Sequence, residues 1–327
     1  ELADGQSQLL LAGADRVVHI WDVTTGRLVA GPNPNAKNSV CVTETGLFNC
    51  SGSTVQMWDV ETGQRLWQVQ DQEPILRLAA SPVGSLLATS GNSPRLKIWN
   101  TTTHELVTTL EHTRGPIGSP TFSQDGQLLA TASISDGLVW VWKMGHPEAI
   151  LVIPEAADNS TLEAIALHPS GRYLAVGGFD WLSTSGGDGA LCIWDLETRD
   201  KFATLEAGVT SLAFDRQGRY LAVGTESRSG QTVLVWDFDK QETVFELPGH
   251  HDRVNAVTFS PDGSWLVSAS DDCTLRIWNV LTGRLAVARQ FDAALQAIAF
   301  SPDGRYLYTG NGNTTCFRLE LKKLLED

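Results

Sequence analysis

Apolar residues recur at spacing two in short runs along the whole chain, and each run ends on a tryptophan. Ile20, Met57, Ile98, Val141, Ile193, Val235 and Ile277 precede Trp21, Trp58, Trp99, Trp142, Trp194, Trp236 and Trp278, and Val18, Val55, Leu96, Val139, Leu191, Val233 and Leu275 stand two positions earlier. Residues two apart in an extended chain share one face. These pairs therefore line one face of a strand and the tryptophan lies on the other. A strand apolar on both faces belongs inside a stack of sheets. Thr314, Cys316 and Phe317 form a degenerate eighth run. A helical period of 3.6 is visible nowhere, the closing "KKLLED" apart.

The eight markers fall at intervals of 37, 41, 43, 52, 42, 42 and 39 residues, the period of a four-stranded propeller blade. Upstream of most lies a turn signal: "SPVG" (81–84), "SQDG" (123–126), "HPSG" (168–171), "DRQG" (215–218) and "SPDG" (260–263 and 301–304). A proline or aspartate turn closing on glycine reverses the chain between two strands. Downstream comes "TGR" or "TGQ" in three units, then a further strand such as "RLAVARQF". Each unit reads as strands a, b, c and d joined by turns.

A unit such as "GHHDRVNAVTFSPDGSWLVSASDDCTLRIWNV" (249–280) resembles WD-repeat β-propellers, and the likeness, of a bacterial near-consensus kind, covers essentially the whole chain. It implies an all-β closed ring, a single propeller domain over residues 1–327. Eight b, eight c, seven a and seven d strands are countable. Eight markers in one ring predict eight four-stranded blades; seven is the alternative, with the first b–c pair surplus. The chain starts at Glu1 without a methionine and reads as part of something longer, or as a processed product.

The same resemblance implies a buried network of a histidine, a strand-b serine or threonine, an aspartate in the b–c turn and the marker tryptophan. His250, Ser268, Asp272 and Trp278 match it in full, and Thr184, Asp188 and Trp194 match it in part; Asp15 and Asp136 hold only the aspartate position. Gly52, Ser93, Gly230 and Asn311 stand there in the remaining units. His250, Ser268 and Asp272 are also the residue types of a hydrolase triad, but the repeat spacing accounts for them and places Ser268 in the core.

Net charge is −14 and no run of five basic residues exists. Phosphate backbones demand lysine and arginine, so nucleic acid and anionic membrane surfaces are poor partners. No apolar run approaches the length of a membrane helix. Cys41, Cys50, Cys192, Cys273 and Cys316 include no CxxC pair. Buried free thiols, with a Cys41–Cys50 hairpin pair as the alternative, point to the cytoplasm. The seven histidines are scattered, so no metal site and no cofactor are expected. "SGGDG" (185–189) lacks the lysine and helix of a phosphate loop, and "SPDGSW" (260–265) lacks the spacing of a sialidase box.

Loops carry function in such scaffolds. From the strand-b leucine to the marker tryptophan the distance is 12 residues at Leu87 and Leu266, 13 at Leu129, 15 at Leu221 and 20 at Leu174. The two long b–c loops are neighbours on one face. They offer Phe179, Asp180 and Trp181, and Glu226, Ser227 and Arg228, with Arg114 on a d–a loop of the same face. Either these residues anchor a protein or peptide, or Phe179 and Trp181 plug the disc itself; a small ligand is the third option. The expected function is a non-catalytic protein-interaction scaffold, the sensory or regulatory module of a larger signalling protein. A propeller enzyme or ligand receptor with a site at the central channel is the alternative. "FSPDGRYLY" (300–308) also resembles periplasmic TolB-like repeats, against which the "IWD" and "TGR" elements argue.

Overall fold

The computed structural model describes every residue except 1–7, 13–17, 23–26, 31–39, 44–45, 52, 60–63, 112–115, 119, 134–136, 155, 158–160, 180–188, 227–231, 312–315 and 327. The first unit forms β1 (Gln8–Ala12), β2 (Val18–Asp22) and β3 (Arg27–Ala30). Blade I is β4 (Val40–Thr43), β5 (Gly46–Ser51), β6 (Thr54–Trp58) and β7 (Arg65–Gln70); blade II is β8 (Ile75–Ala80), β9 (Leu86–Gly91), β10 (Arg95–Asn100) and β11 (Leu106–Glu111). Blade III is β12 (Thr121–Phe122), β13 (Leu128–Ala132), β14 (Val139–Lys143) and β15 (Ala149–Ile153); blade IV is β16 (Thr161–Leu167), β17 (Tyr173–Phe179), β18 (Ala190–Asp195) and β19 (Lys201–Glu206). Blade V is β20 (Val209–Phe214), β21 (Tyr220–Thr225), β22 (Thr232–Asp237) and β23 (Glu242–Pro248); blade VI is β24 (Val254–Phe259), β25 (Trp265–Ser270), β26 (Thr274–Asn279) and β27 (Leu285–Gln290). Blade VII is β28 (Leu295–Phe300), β29 (Tyr306–Asn311) and β30 (Cys316–Glu320), followed by helix α1 (Leu321–Glu326). All strands pair antiparallel with their sequence neighbours within a blade.

The ring has seven blades, not the eight that the marker count predicts. Each inner strand packs beside the next, from β4 through β8, β12, β16, β20 and β24 to β28, and β28 returns to β4. A blade occupies a place in the ring only by contributing an inner strand. The first unit has strands b, c and d but none of that kind, so it stands outside, with β1 alongside β30. Among the described residues no hydrogen-bonded ladder joins β30 to β1.

Cohesion comes from the seams. Six clusters of buried apolar side chains each join two neighbouring blades, from I–II to VI–VII. At the last, Leu324 of α1 packs with Val267, Leu275 and Leu307. Trp58, Trp99, Trp142, Trp236 and Trp278 are buried and Trp194 is half-buried. Opposite each marker tryptophan the c–d ladder slips by one residue, at Val29, Leu66, Val107, Ile150, Phe202, Val244 and Ala286. Such bulges sharpen the strand twist and blunt an exposed edge. The residue after the tryptophan caps the c–d turn: Asn100 Oδ1 accepts from Thr102 N at 2.8 Å, Asp195 Oδ1 from Glu197 N at 2.9 Å and Asn279 Oδ1 from Thr282 N at 3.0 Å.

A second set of bulges lies at the start of the inner strands, at Leu76, Glu163, Thr210, Asn255 and Gln296. Among them Thr210 and Asn255 latch one blade to the next through backbone carbonyls. Thr210 Oγ1 donates to the Val254 carbonyl, and Asn255 Nδ2 to the Leu295 carbonyl at 2.9 Å.

Candidate protein-interaction face

Antiparallel blades put the b–c and d–a connections on one face of the disc and the a–b and c–d turns on the other. On the first face, blade VI carries a continuous polar chain. Trp278 Nε1 donates to Ser268 Oγ at 3.0 Å, His250 Nε2 meets the same oxygen at 2.8 Å, and His250 Nδ1 meets Asp272 Oδ2 at 2.9 Å. The Asp272 carboxylate also accepts from His251 N at 3.0 Å, Thr274 N at 2.8 Å and Thr274 Oγ1 at 2.6 Å. Burial alone would raise the Asp272 pKa, but these donors outweigh it and bring it down to about 2. Burial also holds His250 below its ordinary value, against the pull of Asp272. The neutral ring donates from Nδ1 to Asp272 and accepts the Ser268 proton at Nε2. Ser268 is wholly enclosed, so its hydroxyl has no approach for a substrate carbonyl.

Among the described residues, other blades show the tryptophan end of this chain. Trp58 Nε1 donates to Asn49 Oδ1 at 3.0 Å, Trp99 to Thr89 Oγ1 at 3.1 Å and Trp142 to Thr131 Oγ1 at 3.2 Å. Trp194 donates instead to the Ala156 carbonyl at 2.9 Å. In β17 the ladder position that Ser268 holds in β25 is occupied by Val176, opposite Cys192. Thr184 and Asp188 lie outside the described residues, as do Asp15 and Asp136.

Of the residues expected to meet a partner, Asp180, Trp181, Arg228 and Arg114 also lie outside the described residues. Phe179 ends β17, its backbone paired with Thr161. Glu226 is described, and it is already engaged. Arg253 Nη1 donates to Glu226 Oε2 at 2.7 Å, while its Nη2 reaches Glu163 Oε2. All three side chains are half-buried. One guanidinium, on the connection into blade VI, thus ties the root of the blade V loop to a bulge on the inner strand of blade IV. Beside it Asp271 Oδ1 accepts from Asn255 Nδ2 at 2.7 Å and from Gln296 Nε2 at 2.8 Å, linking blades VI and VII. Neither cluster is a local motif. Their signal in the sequence is a polar residue second or third in a largely apolar inner strand.

Family comparison agrees with this geometry. The model of the WD domain, G-beta repeat, matches residues 104–143, 153–195, 200–237, 241–279 and 289–317, more than half of the chain. The chain belongs to the WD-domain, G-beta repeat family. The WD repeats so matched fall on blades III to VII. FIZZY-RELATED 2 of Arabidopsis thaliana is 26% identical over 292 residues, covering 85% of this chain and 58% of that protein. The B-type cell cycle switch protein ccs52A of Medicago truncatula is 25% identical over 293 residues, covering 85% and 59%. The human kinesin-like protein KIF21B is 26% identical over 321 residues, covering 86% and 18%. The WD-repeat chain therefore spans about three fifths of the plant relatives and under a fifth of the kinesin-like one. No helix among the described residues is long and apolar enough to cross a membrane.

Proposed function

We propose that this WD-repeat propeller is a non-catalytic protein-interaction scaffold, with a protein or an extended peptide docking on the face of the b–c and d–a loops. The observation that carries this reading is where the polar chemistry sits. The His250–Ser268–Asp272 chain is enclosed and internally paired, and Arg253 and Asp271 are used to bind blades together. Such groups make a rigid disc rather than a reacting centre, and a rigid disc presents its loops. Among the relatives one is named a cell cycle switch protein and another a kinesin-like protein, each longer than this chain, in keeping with a WD-repeat module inside a larger signalling protein. Those relatives are plant and human, and none bears on the bacterial likeness of the repeats.

A cytoplasmic setting goes with this proposal: Cys41, Cys50, Cys192 and Cys273 are free thiols. The long loops of blades IV and V, with Trp181 and Arg228, are the proposed anchors. A pull-down comparing the parent chain with Trp181→Ala tests this. Loss of a specific partner at unchanged melting temperature supports an interface anchor; unchanged partners with a lowered melting temperature make Trp181 an internal plug.

A further inference from the structure

Two blades carry a basic residue at the same place on strand c, two before the marker tryptophan: Lys97 on β10, opposite Thr89, and Arg276 on β26, opposite Ser268. Each lies under the first residue that follows strand d of the preceding blade. For Lys97 that residue is Asp71, nearly enclosed, and Lys97 Nζ bonds its Oδ1. For Arg276 it is Gly249. A side-chain carbon added to Gly249 would lie 2.5 Å from Arg276 Nη1. The guanidinium thus fills the space where blade I supplies a carboxylate.

Arg276 has no acid at this place, where Gly249 stands. Its Nε is enclosed without a hydrogen-bond partner, and none of the acidic groups among the described residues pairs with it. Asp272, four residues away, is saturated by His250, His251 and Thr274. Arg276 is half-buried, and its outer nitrogens lie beside Gly249 at the seam of blades V and VI, on the b–c and d–a face. The outer edge, Nη1 and Nη2, is a side of the guanidinium that matches a carboxylate in a bidentate manner.

We propose that Arg276 receives a carboxylate of the docked partner, supplied in trans where Asp71 supplies one in cis. This rests on the interaction-scaffold reading and adds the chemistry of one contact. The carboxylate comes from an acidic side chain or from a chain terminus.

The test is a titration of the whole chain, labelled with nitrogen-15, followed at the Arg276 Nε–Hε and Gly249 amide resonances. One probe is acetyl-Ala-Glu-Ala amide, the other acetyl-Ala-Ala-Ala with a free terminal carboxylate, each against sodium chloride at matched ionic strength. A saturable shift with one peptide is expected, with that peptide naming the source. Arg276→Gln should weaken it at least five-fold at the Gly249 amide, and Arg276→Lys should keep part of it. Shifts equal to those in chloride, or unchanged in Arg276→Gln, overturn the proposal. A failed partner capture leaves this titration untouched, so the two readings fail separately.

Discussion

The indole N–H of Trp278 donates to Ser268 Oγ at 3.0 Å, and Ser268 in turn faces His250 Nε2 at 2.8 Å. This serine is satisfied on both sides in the core, so its removal strands two partners at once. Ser268→Ala is expected to cost about 1–3 kcal/mol, the penalty of unpaired buried groups. Trp278→Ala should cost about 3–5 kcal/mol through lost burial. Denaturant unfolding measures both, and a Trp278→Ala chain with the parent's midpoint would remove the tryptophan from the core.

Acid should loosen the propeller in two stages. His250 and His168 are both held below their ordinary value of 6.5 by burial. His168 Nε2 donates to the Gly218 carbonyl at 2.9 Å, and Nδ1 accepts from Ser170 N at 3.1 Å and lies 2.8 Å from Ser170 Oγ. A depressed histidine pKa means that the unfolded chain binds more protons. Stability therefore falls as pH drops below about 6.5. Asp272 has the ordinary carboxylate sign: its contribution is complete above 3.8 and is lost as pH falls towards 2. Thermal melts from pH 7 to pH 3 check this. His250→Gln should flatten the upper stage, and an unaltered profile in that variant would contradict the assignment.

Arg253 ties blades IV, V and VI together through Glu163 and Glu226. Arg253→Met leaves both carboxylates half-buried and unpaired, and a loss of about 1–3 kcal/mol is expected. In a double-mutant cycle with Glu163→Gln the second change should be nearly free once Arg253 is gone. Additive losses would show that the clamp holds nothing.

The c–d turns offer a gain. His104, Arg199 and Gln241 sit at φ of 65°, 66° and 55°, where blade VI has Gly283 at 64°. A side chain in the left-handed region costs about 1–2 kcal/mol, partly offset by the entropy that glycine loses on folding. Arg199→Gly and Gln241→Gly should each stabilise by about 0.5–1 kcal/mol in calorimetry. Gly283→Ala should do the reverse, since its new carbon would lie 2.5 Å from Phe245 Cδ1.

The repeat was legible because burial on both faces of strand c forces the same apolar pattern wherever a blade stands. The blade number was not, because β1 to β3 are locally the same as any b–c–d unit. Only the missing inner strand, and the return of β28 to β4, separate seven from eight. His250, Ser268, Asp272 and Trp278 were legible for a similar reason, since a regular b–c turn fixes their spacing. In blade IV the insertion breaks that spacing: counting back from Trp194 reaches Thr184, while the ladder reaches Val176. The Arg253 clamp was out of reach, because ring geometry brings together residues 27 and 90 positions apart.

The central claim is that a partner docks on the b–c and d–a face. A photo-reactive phenylalanine analogue placed at Gln296, beside Asp271 on that face, and at Leu281, 78% exposed in a c–d turn of the opposite face, tests it directly in extracts of the source cells. A discrete protein adduct from position 296 and none from position 281 is predicted. Adducts from position 281 alone, or equally from both, would contradict it.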